Sequence, residues 1–96
     1  MYARYFRFKA KPGVRSEVEA LADQMFAYIK TLKGFISVHF LVSEGEAEYG
    51  TFSLWETRED AESAGKLLRE KSAEALQTLA AEPPREEALE VYKPGS

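Results

Sequence analysis

The single histidine and the single tryptophan of this chain both fall within residues 34–57, and both are residue types that carry chemistry. Histidine serves as a general base because its unperturbed pKa, about 6.5, lies near neutrality. Tryptophan stacks on planar ligands. We therefore take His39 as the candidate base and Trp55 as the candidate ligand contact. The structural alternatives are a half-buried His39 satisfied by Ser53 across the strand, and a Trp55 wedged into the core.

The same stretch has the composition of a β-hairpin. Two runs rich in valine, isoleucine and aromatic residues flank a polar, glycine-containing loop at residues 44–48. Side chains alternate between the faces of a strand, and register follows the hydrophobic pattern. Pairing like with like sets Phe40 opposite Phe52 and His39 opposite Ser53. One face is then apolar (Ile36, Val38, Phe40, Phe52, Leu54) and the other is mixed (Ser37, His39, Thr51, Ser53, Trp55).

Length and composition exclude several classes of protein. Ninety-six residues, 45% hydrophobic and 30% charged, describe one globular domain, residues 1–96. A net charge of −3 argues against a nucleic-acid partner and against an anionic membrane surface. No apolar run approaches the ~20 residues that span a bilayer and no signal peptide is evident, so we expect a cytoplasmic location. Without cysteine, and with one histidine that has no acid pair beside it, the chain predicts no metal site.

Periodicity divides the first third of the chain into a strand and a helix. Residues 2–10 alternate and are rich in aromatics, which predicts a first strand with Arg4 and Phe6 on one face. Ser16 and Glu19 match the capping-box pattern, so a first helix is expected to begin near Ser16. Its apolar stripe runs as far as residue 32, and Gly34 suits the left-handed position that ends a helix.

A second helix is expected after the hairpin. Thr57 with Asp60 is another capping pattern, and the proline pair at residues 83–84 ends this helix by about residue 82. Its charged residues, Arg69 among them, read as an exposed face. Residues 85–88 then form a linker, residues 89–92 a short last strand, and residues 93–96 a tail.

The resulting order, β-α-β-β-α-β, predicts the fold. Two helices can cover only one face of a four-stranded sheet, and this arrangement is the ferredoxin-like plait of the α+β class. Either hairpin face would leave large apolar residues uncovered. We therefore expect a homodimer with two-fold symmetry, in which the sheets pack against each other.

Three short motifs follow one another along nearly the whole chain. They are Lys11-Pro12-Gly13, then Gly34-Phe35, then Trp55-Glu56-Thr57 followed by Glu59-Asp60-Ala61. In this order and spacing they resemble the antibiotic biosynthesis monooxygenase family of dimeric α/β barrels. The resemblance implies a ligand cleft between the sheet and the helices of each subunit, with a tryptophan in its wall.

The resemblance also assigns the two hairpin faces, which the pattern alone leaves open. It turns the mixed face toward the helices and the apolar face toward the partner subunit. The implied cleft residues are Trp55, Ser53, Thr51, Ser37 and Phe6, with His39 as the catalytic candidate. The implied dimer interface consists of Ile36, Val38, Phe40, Phe52 and Leu54.

The function implied is a cofactor-independent monooxygenase acting on a small aromatic or quinol-like compound. The haem-degrading branch of the family uses an asparagine on strand one and a histidine on helix two, but Phe6 and Glu74 stand there, so no cofactor is expected. The alternative is a non-catalytic dimeric barrel that binds a small apolar ligand or stabilises a partner. The two differ in whether a base reaches the cleft. Arg4 is either an anion contact at the cleft mouth or, as we prefer, a solvated side chain.

Overall fold

The computed structural model describes residues 1–95 and places a sheet under a layer of helices. The elements are β1 (Tyr2–Lys9), α1 (Arg15–Ile29), β2 (Phe35–Val42), β3 (Glu48–Trp55), α2 (Arg58–Leu79) and β4 (Arg85–Glu90). The strands pair antiparallel in the order β2-β3-β1-β4. This arrangement confirms the predicted α+β, ferredoxin-like plait. Ser96, the last residue of the predicted tail, lies outside the described residues.

The start of α1, at Arg15, agrees with the prediction, but its capping residue and the extent of β4 do not. The N-cap of α1 is Val14, whose side chain makes no capping bond, and Ser16 already lies inside the first turn. β4 begins at Arg85 and not at residue 89, because β1 offers a paired backbone as far as Arg7, which lies opposite Arg85. The predicted linker at residues 85–88 is therefore strand.

The start of α2 agrees with its predicted cap. The Thr57 hydroxyl accepts a hydrogen bond from the Asp60 backbone N–H at 3.0 Å. Gly34 has the predicted left-handed conformation, at φ +80°, but it does not end α1, whose C-cap is Lys30. A Cβ at Gly34 would overlap the Asp60 carboxylate. The Gly34 carbonyl also accepts from the Glu56 N–H at 2.9 Å. The close approach of Gly34 to Asp60 therefore ties the beginning of β2 to the beginning of α2.

The side chains between sheet and helices form two separate core clusters. One contains the buried residues Ile29, Trp55, Ala61 and Ala64 at one end of the layer. The other contains Phe8, Val18, Tyr49, Leu76 and Leu79 at the opposite end. The sheet rows between the clusters include small or polar side chains, because Arg4 lies opposite Ser53 and Phe6 lies opposite Thr51. The middle of the layer is consequently not filled by a continuous apolar core.

The pairing of β2 with β3 is shifted by one residue from the prediction. Phe40 lies opposite Thr51, and His39 lies opposite Phe52. An extra residue in β2 between Phe35 and Ser37 forms a bulge, which moves the following side chains to the other face. Matching apolar with apolar side chains failed because, on the helix side, large residues of β2 stand opposite small polar residues of β3.

The Thr57 cap provides a test of this fold. Thr57→Ala removes the acceptor for the Asp60 N–H, so we expect the free energy of unfolding to fall by about 1 kcal/mol. Urea denaturation followed by Trp55 fluorescence measures the change. Thr78→Ala, on the exposed last turn of the same helix, is the matched control and should shift stability by less than about 0.5 kcal/mol. Equal losses for the two variants would contradict the capping role.

Candidate functional site

A cavity of about 230 Å³ lies between the sheet and the two helices, in the gap between the core clusters. Its walls are mostly apolar and include residues of both clusters. Four of its lining residues form one row across the sheet, from β2 through β3 and β1 to β4: Phe40, Thr51, Phe6 and Glu86. Helix residues close the other side: Val18, Leu21, Ala22, Met25, Ile29, Leu68, Ser72 and Leu76.

The cavity has an aromatic edge between α1 and β2. The rings of Phe26 and Phe40 meet edge to face with centroids 6.3 Å apart. Both side chains are exposed, although they face each other across this seam. Edge-to-face contact is a favourable arrangement for a pair of aromatic rings, so Phe26 supports the position of the cavity-lining Phe40 ring.

Phe6 and Thr51, two of the five predicted cleft residues, line this cavity. Trp55 and Ser53 do not: the Trp55 side chain is 0% exposed and packs within the cluster of Ile29, Ala61 and Ala64. The Trp55 indole N–H donates to the Ser53 hydroxyl at 2.9 Å. The expected contact between Trp55 and a ligand is therefore corrected to a core position behind the cavity, because a fully buried ring has no surface left for stacking.

His39 and Ser37 lie on the opposite face of the sheet. His39 pairs with Phe52 and Ser37 with Leu54, and neither residue lines the cavity. The β2 bulge is the cause, since it turns Val38 and Phe40 toward the helices instead. His39 thus has no path to a ligand bound in this cavity.

The same shift divides the predicted dimer interface between the two faces. Phe52 and Leu54 lie on the face away from the helices, whereas Phe40 packs on Phe26 of α1. Val38 packs against the Trp55 cluster. The interface assignment is therefore corrected for Val38 and Phe40, which belong to the helix side. Ile36, at the bulge, is exposed.

Arg4 is the charged side chain held deepest in the cavity wall. It is 6% exposed, and its Nη2 lies 3.2 Å from Oε2 of Glu86 on β4. Glu86 also accepts a hydrogen bond from Arg69 of α2. Burial lowers the pKa of Arg4 and the Glu86 carboxylate acts against this, and the guanidinium stays charged near neutral pH. The preferred interpretation of Arg4 as a solvated side chain is wrong.

Gly65 of α2 makes room for this guanidinium. A Cβ at position 65 would lie 2.9 Å from Arg4 Nε and 3.0 Å from its Cζ, closer than an ordinary contact allows. Glycine inside a helix costs about 1 kcal/mol relative to alanine. The Arg4 side chain gives a physical reason for glycine at this point of α2, because a flat guanidinium lies against the bare helix backbone.

The other end of the cavity carries a second polar group. Tyr49 is buried and stacks on Phe8 at 5.9 Å between ring centroids. Burial, reinforced by Glu46, raises the pKa of the Tyr49 phenol, so its hydroxyl remains protonated near neutrality. Arg15 lies at this end as well, paired with Glu19 at 3.4 Å and with Glu46 at 3.5 Å. The cavity thus runs from a charged end at Arg4 to a tyrosine end near the start of α1.

Within residues 1–95, no cluster of three or more histidine, cysteine, aspartate or glutamate side chains is placed to hold a metal ion. No helix in the described part of the chain has the length and apolar character needed to cross a membrane.

Sequence reasoning missed Glu86, Arg69 and Tyr49 as cavity residues. Glu86 fell in a segment interpreted as linker, and Arg69 in a helix face interpreted as solvated. One signal was present for Arg4: it alternates with Tyr2, Phe6 and Phe8, so it stands on an otherwise aromatic strand face. A lone arginine on such a face indicates a buried charge that needs a partner.

The corrected position of Trp55 can be tested by stability. Ser53→Ala leaves the buried indole N–H without its acceptor, so we expect the free energy of unfolding to fall by about 1–3 kcal/mol. Ser37→Ala, the same change on the face of β2 that points away from the helices, is the control and should alter stability by less than about 0.5 kcal/mol. Urea unfolding of both variants gives the comparison. A Ser53→Ala protein as stable as the control would show that Trp55 is not held in this way.

Comparison with known proteins supports the fold. Rv0793 from Mycobacterium tuberculosis superposes with a TM-score of 0.80 at 22% identity, covering 99% of this chain and 98% of that chain. NE2512 from Nitrosomonas europaea, a protein of unknown function, gives 0.83 at 17% identity, with coverage of 96% and 89%. SnoaB from Streptomyces nogalater, a cofactor-independent oxygenase, gives 0.77 at 17% identity, with coverage of 96% and 93%. At these identities the likeness concerns the fold alone.

The family assignment has a separate basis. A search of curated proteins returned no match. Residues 1–67 match the family model described as antibiotic biosynthesis monooxygenase, which is more than half of the 96 residues. The chain therefore belongs to the antibiotic biosynthesis monooxygenase family.

Proposed function

We propose that this protein is a cofactor-independent monooxygenase that acts on a small aromatic or quinol-like compound. The observation that carries the proposal is the cavity between sheet and helices, with aromatic side chains of β1 and β2 in a mostly apolar wall. Ligand sites of small molecules have this character, with a few placed polar groups in an apolar pocket. Family membership and the likeness in fold to SnoaB support the same activity.

The proposed reaction inserts one oxygen atom and releases the other as water. A ring carbon that carries two hydrogens, next to a phenolic or carbonyl group, loses a proton to give a delocalised anion. The anion transfers an electron to O₂, the resulting radical pair combines to form a C–O bond, and the peroxide anion takes up a proton to give a hydroperoxide. Loss of water from the hydroperoxide then leaves a carbonyl, so the carbon loses four electrons and O₂ gains four.

In this reaction the substrate supplies the electrons, and the protein supplies position and environment. Phe6 and Phe40 would hold a planar ring, and the apolar side chains of α1 and α2 would exclude water from the reactive anion. The volume of about 230 Å³ lies below the usual range of drug-sized sites, roughly 300–1,000 Å³. We therefore expect a compact substrate, or one that extends partly out of the cavity.

One observation favours the alternative of a binding protein without catalysis. The histidine does not face the cavity, and both carboxylates in its lining already have arginine partners: Glu86 has Arg4 and Arg69, and Glu19 has Arg15. A general base must reach the proton that it removes. If this protein only binds its ligand, aromatic compounds should occupy the cavity without any consumption of oxygen.

Filling the cavity tests whether activity depends on it. Ala22→Phe places a ring into the lined space from α1, and we expect oxygen uptake with hydroxylated polycyclic ring ketones that carry a CH₂ group, such as anthrones, to fall at least about tenfold, because the substrate is excluded. An oxygen electrode and product analysis measure the effect. The matched control is Ala27→Phe on the exposed side of the same helix, which should retain wild-type uptake.

Three results separate the candidate functions. Loss of uptake in Ala22→Phe alone supports catalysis in the cavity. Equal uptake by both variants would place the reaction elsewhere. Ligand binding that Ala22→Phe abolishes, with no uptake by the wild type across the substrate series, would establish the binding alternative. We expect His39→Ala to leave uptake unchanged, because His39 lies on the far side of the sheet.

We also propose that the sheet face away from the helices pairs with a second copy of the chain. This open face, as we call it, carries Leu41, Phe52, Leu54 and Leu89 together with Tyr5 and His39, as the strand registers require. Leu41 and Leu89 are exposed. Its other end has charged pairs, with Arg7 3.6 Å from Glu87 and 3.9 Å from Glu48. An apolar region beside paired charges suits a self-complementary, two-fold contact.

Surface area supports a dimer of this kind. The accessible surface is 6416 Å², whereas a compact monomer of this size is expected to expose about 5,500 Å². The excess, roughly 900 Å², is close to the ~800 Å² that each partner buries in a standard interface. Burial of the open face would remove an area of this order.

Phe52→Asp tests the proposed pairing. A carboxylate at the centre of an apolar interface has no partner, so we expect the variant to sediment as a monomer at micromolar concentrations where the wild type is a dimer. Phe26→Asp, an exposed phenylalanine on α1, is the control and should remain dimeric. Sedimentation equilibrium of all three proteins decides the matter. A monomeric wild type would refute the proposal.

A further inference from the structure

We propose that the cavity selects ligands that carry one ionised oxygen, a phenolate or an enolate, and that the guanidinium of Arg4 binds this oxygen. Gly65 is part of the site because it gives the guanidinium its position. This inference rests on the proposed function in naming the substrate class, but its test measures binding and not oxygenation.

Arg4 has more hydrogen-bond donors than its ion pair with Glu86 uses. A guanidinium has five N–H donors and no acceptor. Within residues 1–95, Glu86 is the ion-pair partner of Arg4, through Nη2. In this part of the chain no fully buried side-chain nitrogen or oxygen atom lacks a hydrogen-bond partner. Each remaining Arg4 donor therefore has a partner or keeps some accessible surface, and the space that this side chain lines is the cavity.

The charged residues that line the cavity leave a surplus of positive charge. The whole chain has a net charge of −3, yet the lining residues include three arginines (Arg4, Arg15, Arg69) and two glutamates (Glu19, Glu86), which leaves one positive charge. The surplus lies at the Arg4 end, where one carboxylate is shared between two guanidiniums. At the other end Arg15 has two glutamates near it. A monoanion whose charged oxygen points to Arg4 would neutralise this one surplus positive charge.

The stability of the fold does not explain an arginine at position 4. A buried ion pair is weak evidence for stability, because an apolar residue of similar size is often as stable or more so. Arg4 faces an apolar cavity, and its place requires a glycine inside α2. Neither feature improves packing. Both are explained if a flat cation must meet an oxyanion in a water-poor site, where such an interaction is strong.

The contact between Arg4 and a ligand oxygen would favour ionisation of the ligand without a general base in the cavity. An opposite charge within about 4–6 Å lowers the pKa of an acidic group by about 1–3 units. An enol bound at Arg4 would therefore ionise more readily, with its O–H proton released to water, and this gives the same anion as loss of the ring C–H proton. The charged groups facing this oxygen would be Arg4 on β1, Glu86 on β4 and Arg69 on α2, and their sum favours the anion.

The test compares two ligands of nearly the same shape, 4-nitrophenol and 4-nitroanisole, by calorimetry without turnover. At a pH where nitrophenol is ionised, we expect the wild type to bind it at least about tenfold more tightly than the methyl ether. In Arg4→Met the two should bind equally. Gly65→Ala should reduce the preference, because its methyl group displaces the guanidinium. The matched control is Arg58→Met, an exposed arginine of α2 that does not line the cavity, which should keep the full preference.

Each result decides the inference. Equal binding of the two ligands by the wild type, no binding of either, or a preference that survives in Arg4→Met would overturn it. The wild-type comparison needs no variant, so a poorly folded Arg4→Met protein, detected by near-ultraviolet circular dichroism, leaves the test intact. An Arg4-dependent preference without oxygen uptake on any quinol would support the inference and reject the monooxygenase. Oxygen uptake without any preference would do the reverse.

Discussion

A one-residue bulge in β2, between Phe35 and Ser37, determines which side chains share the interior with the helices. Before the bulge, Phe35 packs edge to face on Trp55 with ring centroids 5.8 Å apart. After it, Val38 and Phe40 face the same side. In a regular strand, residues 35 and 40 would point to opposite faces, because side chains alternate. The bulge therefore supplies both the aromatic neighbour of Trp55 and the Phe40 wall of the cavity.

The layer between sheet and helices is built so that its middle stays open. Each end is closed by a packed cluster, one around Trp55 and one around Phe8 and Tyr49. The rows between them place Thr51 and Ser53 beside Arg4, and α2 contributes Gly65 above them. Larger apolar side chains in these positions would fill the space and add stability. The two end clusters hold the sheet and helices apart at a fixed distance, so the space between them persists as a site.

Much of this fold follows from local signals in the sequence. The Thr57 cap, the left-handed Gly34 and the alternation of β1 each act over a few residues, and the structure agrees with all three. The register of β2 was not predicted correctly from the sequence, because the rule that pairs apolar with apolar residues assumes a filled interior. Here Phe40 stands opposite Thr51 and lines an open space. A sheet that carries a cavity breaks the pattern from which its register would be inferred.

The candidate site was harder to predict, because its charges come from distant segments. Arg4 and Glu86 are 82 positions apart and become neighbours only through the pairing of β1 with β4. The β4 segment, with three glutamates in six residues, has low intrinsic strand preference, so composition favoured a linker. Backbone pairing with β1 overrides this preference. The partner that makes a buried Arg4 tolerable was thus hidden in a segment that showed no sign of being structured.

Because His39 lies on the open face, the proposed reaction cannot use it as a base and needs a different kind of catalytic group. A histidine base would have to remove a proton, whereas a buried guanidinium stabilises the charge that remains after the proton has left. For an enol the second task is sufficient, because loss of its O–H proton gives the same delocalised anion as loss of the ring C–H proton, and the bound anion is favoured by its counter-charge. Under the proposed function, oxygen would then react with an electron-rich anion beside the apolar side chains of α1 and α2. On the proposed mechanism, the essential feature of the site is one positive charge in an apolar cavity, and that is what the pairing of β1 with β4 and the glycine of α2 provide.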